Sequence, residues 1–188
     1  MSFGKLISTI VDVIEFRLFR WTPTLAVIFG VLMILLACIV YRQKWSRIKK
    51  IVALCFGTYV FEVLLLTLLS RSVMLYVPAV SFKPFLLNDS LETGRKLRLA
   101  VEFVFNSFMF LPLGLIVPFF IKAERKYLIT ILIGISASLI IETFQAILRI
   151  GTLQTDDILA NTTGVIIGVL LSMLIQKRIN KKKDKSNQ

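Results

Sequence analysis

Between Glu142 and Gly164 the chain reads ETFQAILRIGTLQTDDILANTTG. Glu142, Gln145, Arg149, Asp156, Asp157 and Asn161 are the side chains there that could do chemistry. Carboxylates can carry protons or hold Mg²⁺ or Ca²⁺ through oxygen. A guanidinium can grip phosphate with two parallel hydrogen bonds. Carboxamides supply neutral donors and acceptors. The polar stretch lies between two strongly apolar runs, so these groups meet at a seam between hydrophobic segments. Arg71, Glu102 and Asn106, at the corresponding ends of two other apolar runs, can converge on the same place.

The rest of the chain limits what this seam can be. Of 188 residues 56% are hydrophobic, and the mean hydropathy is +0.81. That composition is of an integral membrane protein. The chain contains no histidine, which removes Ser-His-Asp and Cys-His catalysis and histidine-ligated metal. Cys38 and Cys55 lie in apolar runs without CxxC spacing and read as buried small hydrophobes. Net charge is +12, but the cations punctuate apolar runs. They therefore read as topology signals and contacts to anionic lipid, with no nucleic acid implied.

Five stretches have the length and apolarity of membrane spans: Thr24–Tyr41, Ile51–Ser70, Val101–Ile121, Tyr127–Leu148 and Ile158–Ile175. Residues 1–22 differ. Phe3, Leu6, Ile7, Ile10, Ile14 and Leu18 follow helical spacing opposite Lys5, Asp12 and Glu15, the pattern of an amphipathic helix lying in the interface. The expected fold is an all-α membrane protein: an interfacial arm over 1–22, a bundle of about five transmembrane helices over 23–176, and a solvated, partly disordered basic tail over 177–188. The second loop, about 71–100, is expected to be irregular, with FKPF (Phe82–Phe85) pressing aromatics into the headgroup layer.

Lys and Arg crowd the first loop, the third loop and the tail. Alternating spans put these segments on one side, which the positive-inside rule makes cytoplasmic. The N-terminus and the polar seam then face outward.

Helical phase groups the polar residues further. Gly134, Ser138, Glu142, Gln145 and Arg149 step by three or four, as do Asp157, Asn161, Gly164, Gly168 and Ser172. Each set is one stripe of small and polar residues, and Gly164-x-x-x-Gly168 is a helix-contact pattern. The fourth and fifth spans are expected to pack on each other through these stripes. Pro112 and Pro118 are expected to break or kink the third span. Glu62 lies alone in the second span and needs a partner or a watery cavity.

At these residues the chain resembles the VanZ-like family of bacterial membrane proteins. The resemblance runs from about Thr67 to Gly168. It is carried by TLLSR (Thr67–Arg71), FKPF, NSFMFLPLG (Asn106–Gly114) with Pro118, ETFQ (Glu142–Gln145), Arg149 and DDILANTTGVIIG (Asp156–Gly168). Members often carry a further acid near the aspartate pair, where this chain has Gln154 and Thr155, so its seam holds less negative charge. The resemblance implies a bacterial cell-membrane protein and an association with tolerance of the glycopeptide teicoplanin. It implies a context and no particular reaction.

Three readings of the seam remain open. In the first, Arg71, Arg149, Asn106, Gln145 and Asn161 bind an anionic headgroup, a lipid-linked cell-wall precursor or an anionic envelope polymer. In the second, Glu142, Asp156 and Asp157 catalyse a reaction on a lipid-linked substrate, with no cofactor evident beyond a divalent cation. In the third, the broken span and Glu62 serve transport of a lipid or small ion. Against all three stands a purely structural clasp, in which Arg149 neutralises Asp156 or Asp157.

Overall fold

The computed structural model describes residues 4, 7–9, 23–69, 84, 92–151 and 154–186. The interfacial arm apart from residues 4 and 7–9, and residues 70–83 and 85–91, which hold Arg71 and all of FKPF but Pro84, lie outside the described residues; residues 93–100, expected to belong to an irregular second loop, instead form the opening turns of the third span's helix. The described part is helical: α1 (Pro23–Arg42), α2 (Arg47–Leu64), α3 (Thr93–Ile116), α4 (Lys126–Ile147) and α5 (Thr155–Ser186). Four of these are long and apolar enough to cross a membrane, and Val27–Arg42 forms a shorter apolar helix. Large aliphatic side chains such as Leu132, Ile140, Leu170 and Leu174 lie on the outer faces, where lipid would cover them. The chain is a multi-pass membrane protein.

The helices fall into two compact units, Glu15–Ser72 and a second made of Met1–Ile14 with Val73–Gln188. In the first unit Ser46 caps α2, its hydroxyl accepting the Lys49 N–H at 3.4 Å. Gly57 lets Leu36 of α1 approach, and the Phe29 and Phe61 rings stack with centroids 4.7 Å apart. The last turn widens to a π-helix over Leu65–Leu69, which the sequence did not foretell. Thr67 sits in that turn, buried, and donates to the Val63 carbonyl at 2.7 Å. Glu62 is half-buried one turn before it. Cys38 and Cys55 are exposed rather than buried. In a span that means a lipid-facing position, which a small apolar thiol tolerates as readily as a core.

The second unit is built around α5. α3 runs parallel to it: Asn106 meets Asp157, Ser107 meets Ala160 and Gly164, and Leu111 meets Gly168. α4 runs antiparallel, with Ser138 at Asn161, Gly134 at Val165 and Lys126 at Gln176. The glycine pattern therefore serves a different contact from the expected one. A Cβ at Gly164 would run into the Ser107 carbonyl, and one at Gly168 into the Leu111 carbonyl. Both glycines admit α3, while α4 packs on the flank through Gly134 and Asn161. A stripe of small residues says that a helix approaches closely and leaves open which helix it is.

Three further expectations change. α3 continues through Pro112 without a break, and Pro118 lies in a 3₁₀ turn (Val117–Phe119) that ends the span. Proline lacks an N–H to give and crowds the preceding turn, but here the close contact with α5 holds the helix together. α4 ends at Ile147, so Arg149 is not carried on the stripe of Ser138, Glu142 and Gln145. The basic tail is not irregular: α5 runs on to Ser186, with Lys177, Arg178, Lys181 and Lys182 exposed on its extension.

Replacing Gly164 with Leu should lower stability in detergent by about 1–3 kcal/mol or prevent folding, because an inserted side chain meets backbone that cannot step aside. Thermal melting of the purified variant checks this; an unchanged melting temperature would mean that α3 does not contact this face.

Candidate functional site

The polar seam forms where α4 ends and α5 begins. Asp156 and Asp157 occupy the first turn of α5, where unpaired backbone N–H groups and the helix dipole favour negative charge. Both are half-buried. The Asp157 carboxylate accepts from Asn106 Nδ2 at 2.5 Å, which ties α3 to the start of α5. One position on, Ser107 donates to the Ala160 carbonyl at 2.9 Å.

The α4 side is deeper. Glu142 is 2% exposed, and its Oε2 accepts the backbone N–H of Gln154 at 3.2 Å across the connecting loop. Gln145, also 2% exposed, lies one turn further along the same face. Asn161 is 3% exposed and donates to Ser138 Oγ at 2.8 Å, while its Oδ1 finds no partner among the described residues. The structure thus brings Asn106, Glu142, Gln145, Asp156, Asp157 and Asn161 to one end of the three-helix unit. α3 extends for about 20 Å on the N-terminal side of Asn106, so the seam is recessed beside a longer helix.

Two residues expected at the seam give no side chain to its bonds among the described residues. Glu102 pairs with Arg98 Nε at 3.0 Å, one turn apart on α3. Arg149 is exposed and makes no ion pair among the described residues, so the neutralising clasp with Asp156 or Asp157 does not form through it. Arg71 lies outside the described residues. Among those described, no three acidic or cysteine side chains lie together in a way that could hold a metal ion.

Arg149 owes its position to the way α4 stops. The Arg149 N–H bonds to the Ala146 carbonyl at 3.2 Å, and the Ile150 N–H to the Gln145 carbonyl at 3.0 Å. These are the two bonds of a Schellman cap, with Ile150 buried as its apolar anchor. The residue at its centre must turn left-handed, and Arg149 has φ 55°. Glycine is the usual occupant because a Cβ there costs about 1–2 kcal/mol. The chain instead keeps an arginine at that point and places its glycine, Gly151, two residues later.

Reasoning from sequence missed Ser107 and the Gln154 backbone as parts of the site. Ser107 had a signal: it lies seven residues before Gly114, the spacing of small residues at a helix contact. The Gln154 bond had none, since it depends on how the loop returns.

Arg149→Gly should be at least as stable as the wild type, with a gain of up to about 1 kcal/mol once strain relief is set against the greater freedom of the unfolded chain. Denaturation in mixed micelles measures it. A marked loss of stability would show that the guanidinium holds the fold together.

A family model described as VanZ/LLP1 matches residues 63–176, a stretch that includes all of α3 and α4, the spanning part of α5 and every described residue of the seam. No curated protein and no solved structure matches the chain. The matched stretch is more than half of the chain, and the protein belongs to the VanZ/LLP1 family.

Proposed function

We propose that this protein acts in the bacterial cell envelope by binding a lipid-linked cell-wall precursor or another anionic envelope component at the polar seam, and that binding lowers access of a glycopeptide such as teicoplanin to its target. The seam faces outward in this reading, with the N-terminus outside and the basic end of α5 in the cytoplasm, as the distribution of Lys and Arg favours. The observation that carries it is Arg149: an exposed arginine kept in left-handed backbone at the mouth of a buried polar cluster. Strain of this kind persists where the side chain does something the fold does not need. Its guanidinium would take the phosphate or other anionic group. Asn106, Gln145 and Asn161 would offer neutral hydrogen bonds to the remainder of the headgroup, and Asp156 and Asp157 would accept from its hydroxyls or amines.

A reaction on the same substrate is the second reading. The near-complete burial of Glu142 favours it, since a carboxylate withdrawn from bulk water and held by the Gln154 backbone N–H is placed for general acid/base work.

Teicoplanin susceptibility of cells carrying Arg149→Gly, Asp157→Asn or Glu142→Gln tests these readings, with membrane levels checked by immunoblot. Binding predicts normal protein levels and at least a several-fold loss of tolerance for Arg149→Gly. Catalysis predicts the largest loss for Glu142→Gln and little for Arg149→Gly. Full tolerance in all three would remove the seam from function. Thr152→Cys in the same cells should react with an impermeant maleimide before lysis; labelling only after lysis would turn the seam to the cytoplasm.

A further inference from the structure

The opposite end of the same three-helix unit carries a second polar assembly. Lys126 begins α4 half-buried, its stem against the helices and its ammonium bonded. Its Nζ donates to Gln176 Oε1, and the Tyr127 hydroxyl donates to the same oxygen at 3.3 Å. Gln176 is fixed in turn, its Nε2 donating to the buried Ser172 hydroxyl at 3.1 Å. The ammonium also lies 5.1 Å from the centre of the Tyr127 ring. One cation is thus held by two groups, the Gln176 carboxamide and the Tyr127 ring, and the carboxamide is itself fixed by the Tyr127 and Ser172 hydroxyls.

Beside it opens a groove of about 730 Å³. Met173 and Leu174 line its apolar part, and Lys126, Lys177 and Lys181 its polar part, with Asp184 at the far end. Along α5, Met173, Lys177 and Lys181 follow one another at intervals of four, so one helix face passes from apolar to cationic. Three lysines face one aspartate. Arg178 and Lys182, exposed on the same helix, are not part of the groove.

We propose that this groove is a binding site for an anionic phospholipid, with the phosphate between Lys126, Lys177 and Lys181 and an acyl chain along Met173 and Leu174. A soluble phosphate would use the lysines and have no need of the apolar wall, which commits the site to lipid. The site is independent of the seam and of the function proposed for it. Bound there, the lipid joins the start of α4 to the extension of α5 and fixes that end of the bundle.

The test uses the full chain in phosphatidylcholine micelles, with phosphatidylglycerol titrated in and lipid adducts counted by native mass spectrometry alongside the melting temperature. Phosphatidylglycerol should bind and raise the melting temperature. Lys177→Gln/Lys181→Gln should weaken binding about thirtyfold, as two lysines near an anionic surface imply. Arg178→Gln/Lys182→Gln removes the same charge outside the groove and should keep most of the affinity. Equal losses in the two double variants would reduce the effect to overall charge and overturn the proposal. So would stabilisation by inorganic phosphate equal to that by the lipid.

Discussion

The backbone of α3 touches the backbone of α5. Everything at the seam follows from that contact, because it sets the register between two parallel helices at atomic spacing. Gly164 and Gly168 leave no side chain between α5 and the carbonyls of Ser107 and Leu111. In lipid, where apolar surface gains nothing by meeting other apolar surface, close backbone packing and polar bonds are what hold helices together. The Ser107 bond to the Ala160 carbonyl adds one such polar tie beside the glycines.

With the register fixed, Asn106 must lie at the first turn of α5, where two aspartates favour the helix dipole. α4 then closes the third side. Gly134 accommodates Val165, and the bond from Asn161 to Ser138 fixes its height. Glu142 is carried into the interior, and its Schellman-capped end turns Arg149 outward. A buried carboxylate, buried carboxamides and a solvent-facing guanidinium therefore come together at one end of the unit although they lie on three helices. At the other end, the surplus length of α5 produces the lysine-lined groove.

Much of this was legible from residue types and their intervals. The spans rest on the length of apolar runs, the convergence of Asn106, Glu142, Gln145, Asp156, Asp157 and Asn161 on intervals of three and four, and the family resemblance on ordered motifs. Expectations failed where geometry is not periodic. Extending the helical phase of α4 to Arg149 ignored the left-handed residue that ends the helix, since arginine gives no sign of taking a position where glycine is usual. Pro112 suggested a break, but a helix pinned along its length can continue through a proline. The glycine stripe announced a close neighbour, and α3 and α4 were equally good candidates by spacing alone. The π-turn at Leu65–Leu69 leaves no mark in a leucine run whose one polar residue, Thr67, bonds back to the preceding turn as it would in an ordinary helix.

The contact between α3 and α5 is open to direct measurement by crosslinking in native membranes. In a chain with Cys38 and Cys55 replaced by serine, Ser107→Cys with Ala160→Cys should form an intramolecular disulfide on mild oxidation, because the Ser107 side chain already reaches the backbone at Ala160. A Ser138→Cys/Ala160→Cys pair should not, since Ala160 shares the glycine face that meets α3 and Ser138 faces Asn161. Crosslinking of the second pair and not the first would place α4 on the glycine face and contradict the register from which the seam is built.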